Sequence, residues 1–342
     1  MKSTAVGLLL FLIFLIAIAT WRYHSLRYPD ADSVERTKIL MDTLVRIEVF
    51  DENEDQATKA IEAAYDEIER LSQIFSHHIP ESEVSRLNRN PAGKILEVSP
   101  ELYTVLERSK YFSIMMRGAF DLTIGTISQL WNFTGENPKI PQVEEIQERL
   151  LFIDFRNIIT DEERRVSLAS SKIAIDLGGV AKGYSVDRAI EVLRENGISR
   201  ALVDAGGDIG LLGMKANSQP WRIGVQHPRD ATELIAIIEI DSESVATSGD
   251  YQRFFFQDGQ RYHHILDPKT GWPSRECISV TIVTRRAMDA DILATGIFVL
   301  GPERGMAFVE ELAGVEGLIF FEKDGQIEHI ISKGLRDRVR FH

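Results

Sequence analysis

The chain has 342 residues, of which 44% are hydrophobic and 27% charged, the make-up of an ordinary globular protein with room for one large domain or two modest ones. Its 39 Lys and Arg against 52 Asp and Glu give a net charge of −13. No basic stretch is dense enough to hold a phosphate backbone, which makes nucleic acid a poor partner. The single cysteine, Cys277, rules out an internal disulfide and any cysteine-rich metal site.

Lys2 precedes an uncharged apolar run from Ala5 to Trp21, and Arg22 and Arg27 follow it. Such a run is long enough to span a bilayer. Residues 1–24 therefore read as a membrane anchor or, given Ala17-Ile18-Ala19, as a cleaved signal segment. Residues 25–36 read as a polar linker, and a folded domain is expected over 37–335. Lys38 to Phe50 alternates like a strand. Ile61, Tyr65, Ile68, Leu71 and Phe75 fall at helical spacing, which predicts an amphipathic helix over 57–75. Ser76 to Pro91 reads as a polar loop. Ser99 and Pro100 open a second helix running to about Met116. Gly118 to Gly125 is a loop, and Val143 to Leu151 a short helix.

From Asn157 onward strands dominate. Strands are expected at 158–160, 165–168, 172–176, 201–204, 222–226, 234–240, 252–256, 261–266, 278–283, 318–321 and 327–331. Helices are expected at about 180–196, ended by Gly197, and at 288–300 and 304–312. Unequal elements and several hairpins suggest an α+β fold rather than a regular βαβ repeat.

Four segments could carry chemistry. In Ile173 to Tyr184 a strand runs through Asp176 into Gly178-Gly179 and a helix, where backbone N–H groups and Lys182 could hold an anion. The same pattern also fits a plain strand-to-helix turn with a surface lysine. Asp291 and Thr295 lie four apart on one helix face and offer hard oxygen donors suited to Mg²⁺. Helix-dipole and packing roles would explain them equally well. His263 and His264 point to opposite faces of a strand, so only one can line a site as a proton acceptor. Val245 to Tyr251 is a polar stretch without a nucleophile elbow, readable as a turn between strands. Asp204 to Gly210 reads as a glycine turn.

Together these segments resemble the ApbE family, the FAD:protein FMN transferases. The matching elements are Asp176-Leu-Gly-Gly-Val-Ala-Lys-Gly-Tyr184, Ala205-Gly-Gly-Asp208, Thr247-Ser-Gly-Asp-Tyr251, His264-Ile-Leu-Asp-Pro-x-Thr-Gly271 and Ala290-Asp-x-x-Ala-Thr295. Ser82-Glu83, Leu87-Asn88, Gly118-Ala-Phe-Asp-x-Thr123 and Leu130-Trp131 match upstream, in the same order. The resemblance covers about 38–331.

It implies an α+β fold with an FAD cleft and Mg²⁺-assisted transfer of FMN from FAD, as substrate, to a Thr or Ser of a target flavoprotein. AMP would be released, and the targets would be subunits of membrane redox complexes. It also implies a bacterial inner-membrane location, with the catalytic domain outside the cytoplasm. By position, Asp291, Thr295 and the Gly179 carbonyl match metal ligands, and His264 the base. Met41, Ala119, Phe120, Asp121, Asp176, Lys182 and Ile265 match FAD contacts. Asn88 sits at a polar position near the phosphates, and Thr247 lies in a matched motif. Two departures stand out. Asp42 replaces a usual glycine, and His78 a tyrosine that stacks on the cofactor. The same residues could also serve an Mg²⁺-dependent FAD pyrophosphatase or a non-enzymatic FAD-binding protein.

Overall fold

The computed structural model describes residues 33–51, 53–133, 138–215 and 219–342. The apolar run at 5–21 lies outside them. Among the described residues no helix is long and apolar enough to cross a membrane.

The described chain opens on a hairpin, β1 (Ser33–Leu40) and β2 (Thr43–Phe50), followed by α1 (Glu54–Phe75) and α2 (Glu83–Asn88). Next come β3 (Leu96–Glu97), α3 (Pro100–Met115), α4 (Gly125–Ser128), α5 (Val143–Leu150), β4 (Ile158–Thr160) and β5 (Arg165–Leu168). The long helix α6 (Ala181–Glu195) leads into β6 (Ala201–Ala205), β7 (Asp208–Leu212), β8 (Trp221–His227), β9 (Asp230–Ile240) and β10 (Ser244–Gly249). A small hairpin, β11 (Phe254–Gln257) and β12 (Gln260–His263), precedes β13 (Ser279–Thr284), α7 (Ala287–Leu300) and α8 (Pro302–Glu311). The chain closes with β14 (Glu316–Lys323), β15 (Gln326–Ile331) and β16 (Val339–Phe341).

Eight strands form one antiparallel sheet in the order β1-β2-β6-β7-β10-β13-β14-β15. Alternation along each strand sends side chains to opposite faces. In β6, Val203 packs with Ile61 and Ile68 of α1 and with Leu193 of α6, whereas Leu202 packs with Trp221 and Ile238 on the other side. Helices thus cover one face, and the three-stranded sheet β16-β9-β8 covers the other. The α+β expectation holds.

The helices start where their caps are. The Asn53 side chain accepts from Gln56 N–H at the start of α1, and Ser99 accepts from Leu102 N–H at the start of α3. The apolar stripe of α1 is buried along its length. The helices α6 and α7 cross at Gly183. A Cβ there would run into the Ala287 carbonyl and lie 2.8 Å from Asp291 Cβ, so only glycine allows this approach.

Several expectations need correction. Ser33–Arg36, expected as linker, belongs to the edge strand β1, whose exposed residues carry no apolar alternation and which is held by backbone pairing with β2. The single strand expected over 38–50 is a hairpin. Met41 and Asp42 both adopt left-handed backbone, φ 51° and 58°, which is unusual for residues other than glycine. The loop expected over 76–91 contains α2, capped by the Ser82 side chain on Ser85 N–H. The polar segments at 204–210 and 245–251 contain the strands β7 and β10. Residues 172–176 form no strand: Lys172, Ala174 and Ile175 N–H donate to side chains, and Ile173 and Asp176 N–H to the carbonyls of Ser170 and Leu122. The domain does not stop at 335: Leu335 is fully buried, and β16 pairs with β9.

Gly183→Ala should destabilise the protein by about 1–3 kcal/mol, the usual cost of overpacking a tight contact. Urea unfolding of the two proteins checks this.

Candidate functional site

One cleft of about 1150 Å³ opens beside the helix-covered side of the main sheet. It exceeds the usual range for drug-sized ligands and has room for a dinucleotide. Every residue matched by position to a metal, base or FAD contact lines it, from Met41 and His78 to Asp291 and Thr295.

The stretch 173–182 forms the floor. Its backbone is pinned by side chains from outside. The Asn88 amide donates to Ile175 O at 2.9 Å and accepts from Ile175 N–H at 2.7 Å. Thr126 Oγ1 accepts from Ala174 N–H at 3.0 Å, and Leu122 O accepts from Asp176 N–H at 2.8 Å. Asn88 therefore holds the floor with both ends of its amide, rather than reaching for metal or phosphate. Asp176 accepts from Gly178 N–H at 2.8 Å and from Ser128 Oγ at 3.0 Å.

The start of α6 differs from the open anion cradle expected. Val180 and Ala181 N–H both donate to Leu177 O, and Gly183 N–H donates to Asp291 Oδ2 at 3.1 Å. Anion binding thus falls mainly to side chains. Lys182 is no free surface lysine. Its ammonium is ion-paired with Asp208 and lies 4.0 Å from Asp291 Oδ2.

Asp208 and Asp291 are both buried. Burial pushes both carboxyls above the ordinary range, and Asp208 is pushed further by the Asp291 charge beside it. Burial disfavours the Lys182 ammonium, but the two carboxylates outweigh it and raise its pKa. One lysine shared between two buried carboxyls leaves a carboxyl that a bound cation would help to ionise.

Hard oxygen donors stand at the same place. Thr295 Oγ1 lies 3.2 Å from Ser248 Oγ, and a Cβ on Gly179 would come within 3.0 Å of Thr295 Oγ1 and 3.1 Å of the Phe120 ring. Glycine at 179 lets its backbone close on the Asp291–Thr295 face. Among the described residues no cluster of three or more His, Cys, Asp or Glu could hold a metal by itself. One carboxylate with a hydroxyl and a carbonyl fits Mg²⁺, which commonly takes its remaining ligands from water and phosphate oxygens.

The two histidines divide between core and cleft, although β12 ends at His263 and His264 lies just beyond it. His263 is buried; its Nδ1 accepts from Ile265 N–H at 3.3 Å, so Nε2 donates to Ser274 O at 2.6 Å. His264 faces the cleft, and among the described residues its Nδ1 has no hydrogen-bond partner. Burial, with His263 and Arg253 nearby, pulls the His264 pKa down to about 3, which keeps the ring neutral.

Other residues do less than their position suggested. Asp121 lines the cleft with Ala119 and Phe120, but its buried carboxyl is taken up by Thr123 N–H at 2.8 Å and Phe155 N–H at 2.8 Å. Thr247 Oγ1 is paired with Thr281 Oγ1 at 2.9 Å. Ile265 packs into the wall, and His78 stands exposed at the mouth with its ring 4.0 Å from that of His77. Asp208 was not singled out from the sequence; only the pairing of β7 beside α6 reveals its contact with Lys182.

Asn88→Ala removes both bonds to Ile175 and should cost about 1–3 kcal/mol. Hydrogen exchange should show the Ile175 amide losing protection, while the Asp176 amide, bonded to Leu122, keeps more of its own.

Comparison with known proteins follows this geometry. The model of the ApbE family matches residues 41–319. The FAD:protein FMN transferase of Treponema pallidum (strain Nichols) is 33% identical over 322 residues, covering 89% of this chain and 88% of that protein. The Vibrio cholerae enzyme of the same name is 33% identical over 302 residues, covering 87% and 90%. Among solved structures, the ApbE protein of Thermotoga maritima superposes with a TM-score of 0.82 at 37% identity, covering 90% of this chain and 99% of that one. Flavin transferase ApbE from Vibrio cholerae gives 0.80 at 29% identity, covering 90% and 99%. The chain belongs to the ApbE family.

Proposed function

We propose that this protein splits FAD in the cleft and transfers the FMN half to a Thr or Ser hydroxyl of a protein acceptor, releasing AMP. One observation carries this: Asp291, Thr295 and Gly179 converge beside Lys182, in a dinucleotide-sized cleft that His264 also lines. Relatives named FAD:protein FMN transferase support the same reading.

Asp291, Thr295 Oγ1 and the Gly179 carbonyl would hold Mg²⁺. The ion, when bound, supplies charge stabilisation at the diphosphate oxygens. Lys182, kept charged by its two carboxylates, adds a fixed positive charge at the same anion. The neutral His264 imidazole accepts the proton of the incoming hydroxyl, and an anion beside it raises its basicity. Rate then comes chiefly from positioning and electrostatics, as is general in phosphoryl transfer.

The apolar run from Ala5 to Trp21, with Lys2 before it and Arg22 and Arg27 after it, supports a membrane-anchored enzyme. On this reading the catalytic domain faces away from the cytoplasm of a bacterial inner membrane, and the acceptors are flavoprotein subunits of membrane redox complexes.

With FAD, Mg²⁺ and an acceptor subunit, the protein should produce an acceptor band with in-gel flavin fluorescence. Chelation by EDTA should abolish the band and added Mg²⁺ restore it. Asp291→Ala should lower the rate at least about a hundredfold, as loss of a main electrostatic stabiliser does. Free FMN and AMP without covalent flavin would instead indicate a pyrophosphatase, and unchanged FAD a binding protein.

A further inference from the structure

Lys182 is shared between Asp208 and Asp291, so this wall brings one cation and two carboxyl groups. The FAD diphosphate would add two negative charges, for which the committed Lys182 is no free partner.

Arg253 lies in the short connection between β10 and β11 and lines the same cleft. It is exposed, and among the described residues its guanidinium makes no hydrogen bond or ion pair. The neighbouring arginines are committed: Arg229 binds Asp250 at 2.7 Å, and Arg261 lies 3.9 Å from the same carboxylate. Asp250 itself is buried, so this pair anchors the connection that carries Arg253. On the other side, Arg253 O accepts from His264 N–H at 3.1 Å, which fixes the two residues side by side. The Arg253 charge reaches both the His264 ring and the Lys182 ammonium and lowers the pKa of each.

We propose that the Arg253 guanidinium is a catalytic residue that grips the FAD diphosphate at the phosphoryl group to be transferred, beside His264. The inference rests on the transferase reading. In that step the acceptor oxygen forms a bond to the FMN phosphorus and its proton passes to His264. The bond from that phosphorus to the bridging oxygen breaks, and its electron pair leaves with AMP. A planar guanidinium can span two phosphate oxygens at once, which an ammonium cannot.

Titration of flavin fluorescence with riboflavin, FMN and FAD, in Mg²⁺, tests this on the unchanged protein, Arg253→Gln and Arg253→Lys. Arg253→Gln should weaken FMN and FAD binding at least about tenfold, the scale of one charge-assisted hydrogen bond, and leave riboflavin binding unchanged. Arg253→Lys should recover part of the loss, and the three proteins should melt together. Equal FMN and FAD affinity in all three, or riboflavin binding that falls in step with FMN, would overturn the role of Arg253 and leave the transferase reading standing. An unchanged protein that binds no FAD would overturn both.

Discussion

The crossing of α6 and α7 at Gly183 is the constraint on which the site depends. The helices approach so closely there that the Gly183 N–H bonds the Asp291 carboxylate, and Lys182, one residue earlier, comes within 4.0 Å of it. Asp208 reaches the same lysine from the neighbouring strand β7. A larger residue at 183 would lift α7 and carry Asp291 and Thr295 away from Gly179 together. The packing that builds the core thus also sets the spacing of the donors.

Burial gives these charges their effect. Two carboxyls taken out of water resist ionisation, and one lysine cannot satisfy both. A cation bound here would favour the ionised form of the second carboxyl and attract an anionic substrate. The floor at 173–182 meets this need by different means. Asn88 and Thr126 hold its backbone from the side, which leaves it free of a strand partner and open to the cleft.

Much of this was legible in the sequence. Helical spacing and caps gave α1, α3 and α6 close to their observed bounds, and strand alternation separated His263 from His264. The Asp291–Thr295 pair was readable because a helix repeats every four residues or so. What escaped depends on contacts between distant segments. Residues 172–176 read as a strand entering the glycine turn, yet their partners are side chains and single carbonyls rather than a neighbouring strand. The turn at Met41 and Asp42 carries no glycine to announce it, although its left-handed backbone is one that glycine adopts most readily. The partnership of Asp208 with Lys182 exists only once β7 lies beside α6.

The account stands most directly on where a divalent ion sits. A crystal structure with FAD and Mn²⁺ in place of Mg²⁺ would locate it by anomalous scattering. A peak within bonding reach of the Asp291 carboxylate, Thr295 Oγ1 and the Gly179 carbonyl, bridged to diphosphate oxygens, is the predicted result. An ion bound elsewhere, with these three groups left to the protein alone, would contradict it.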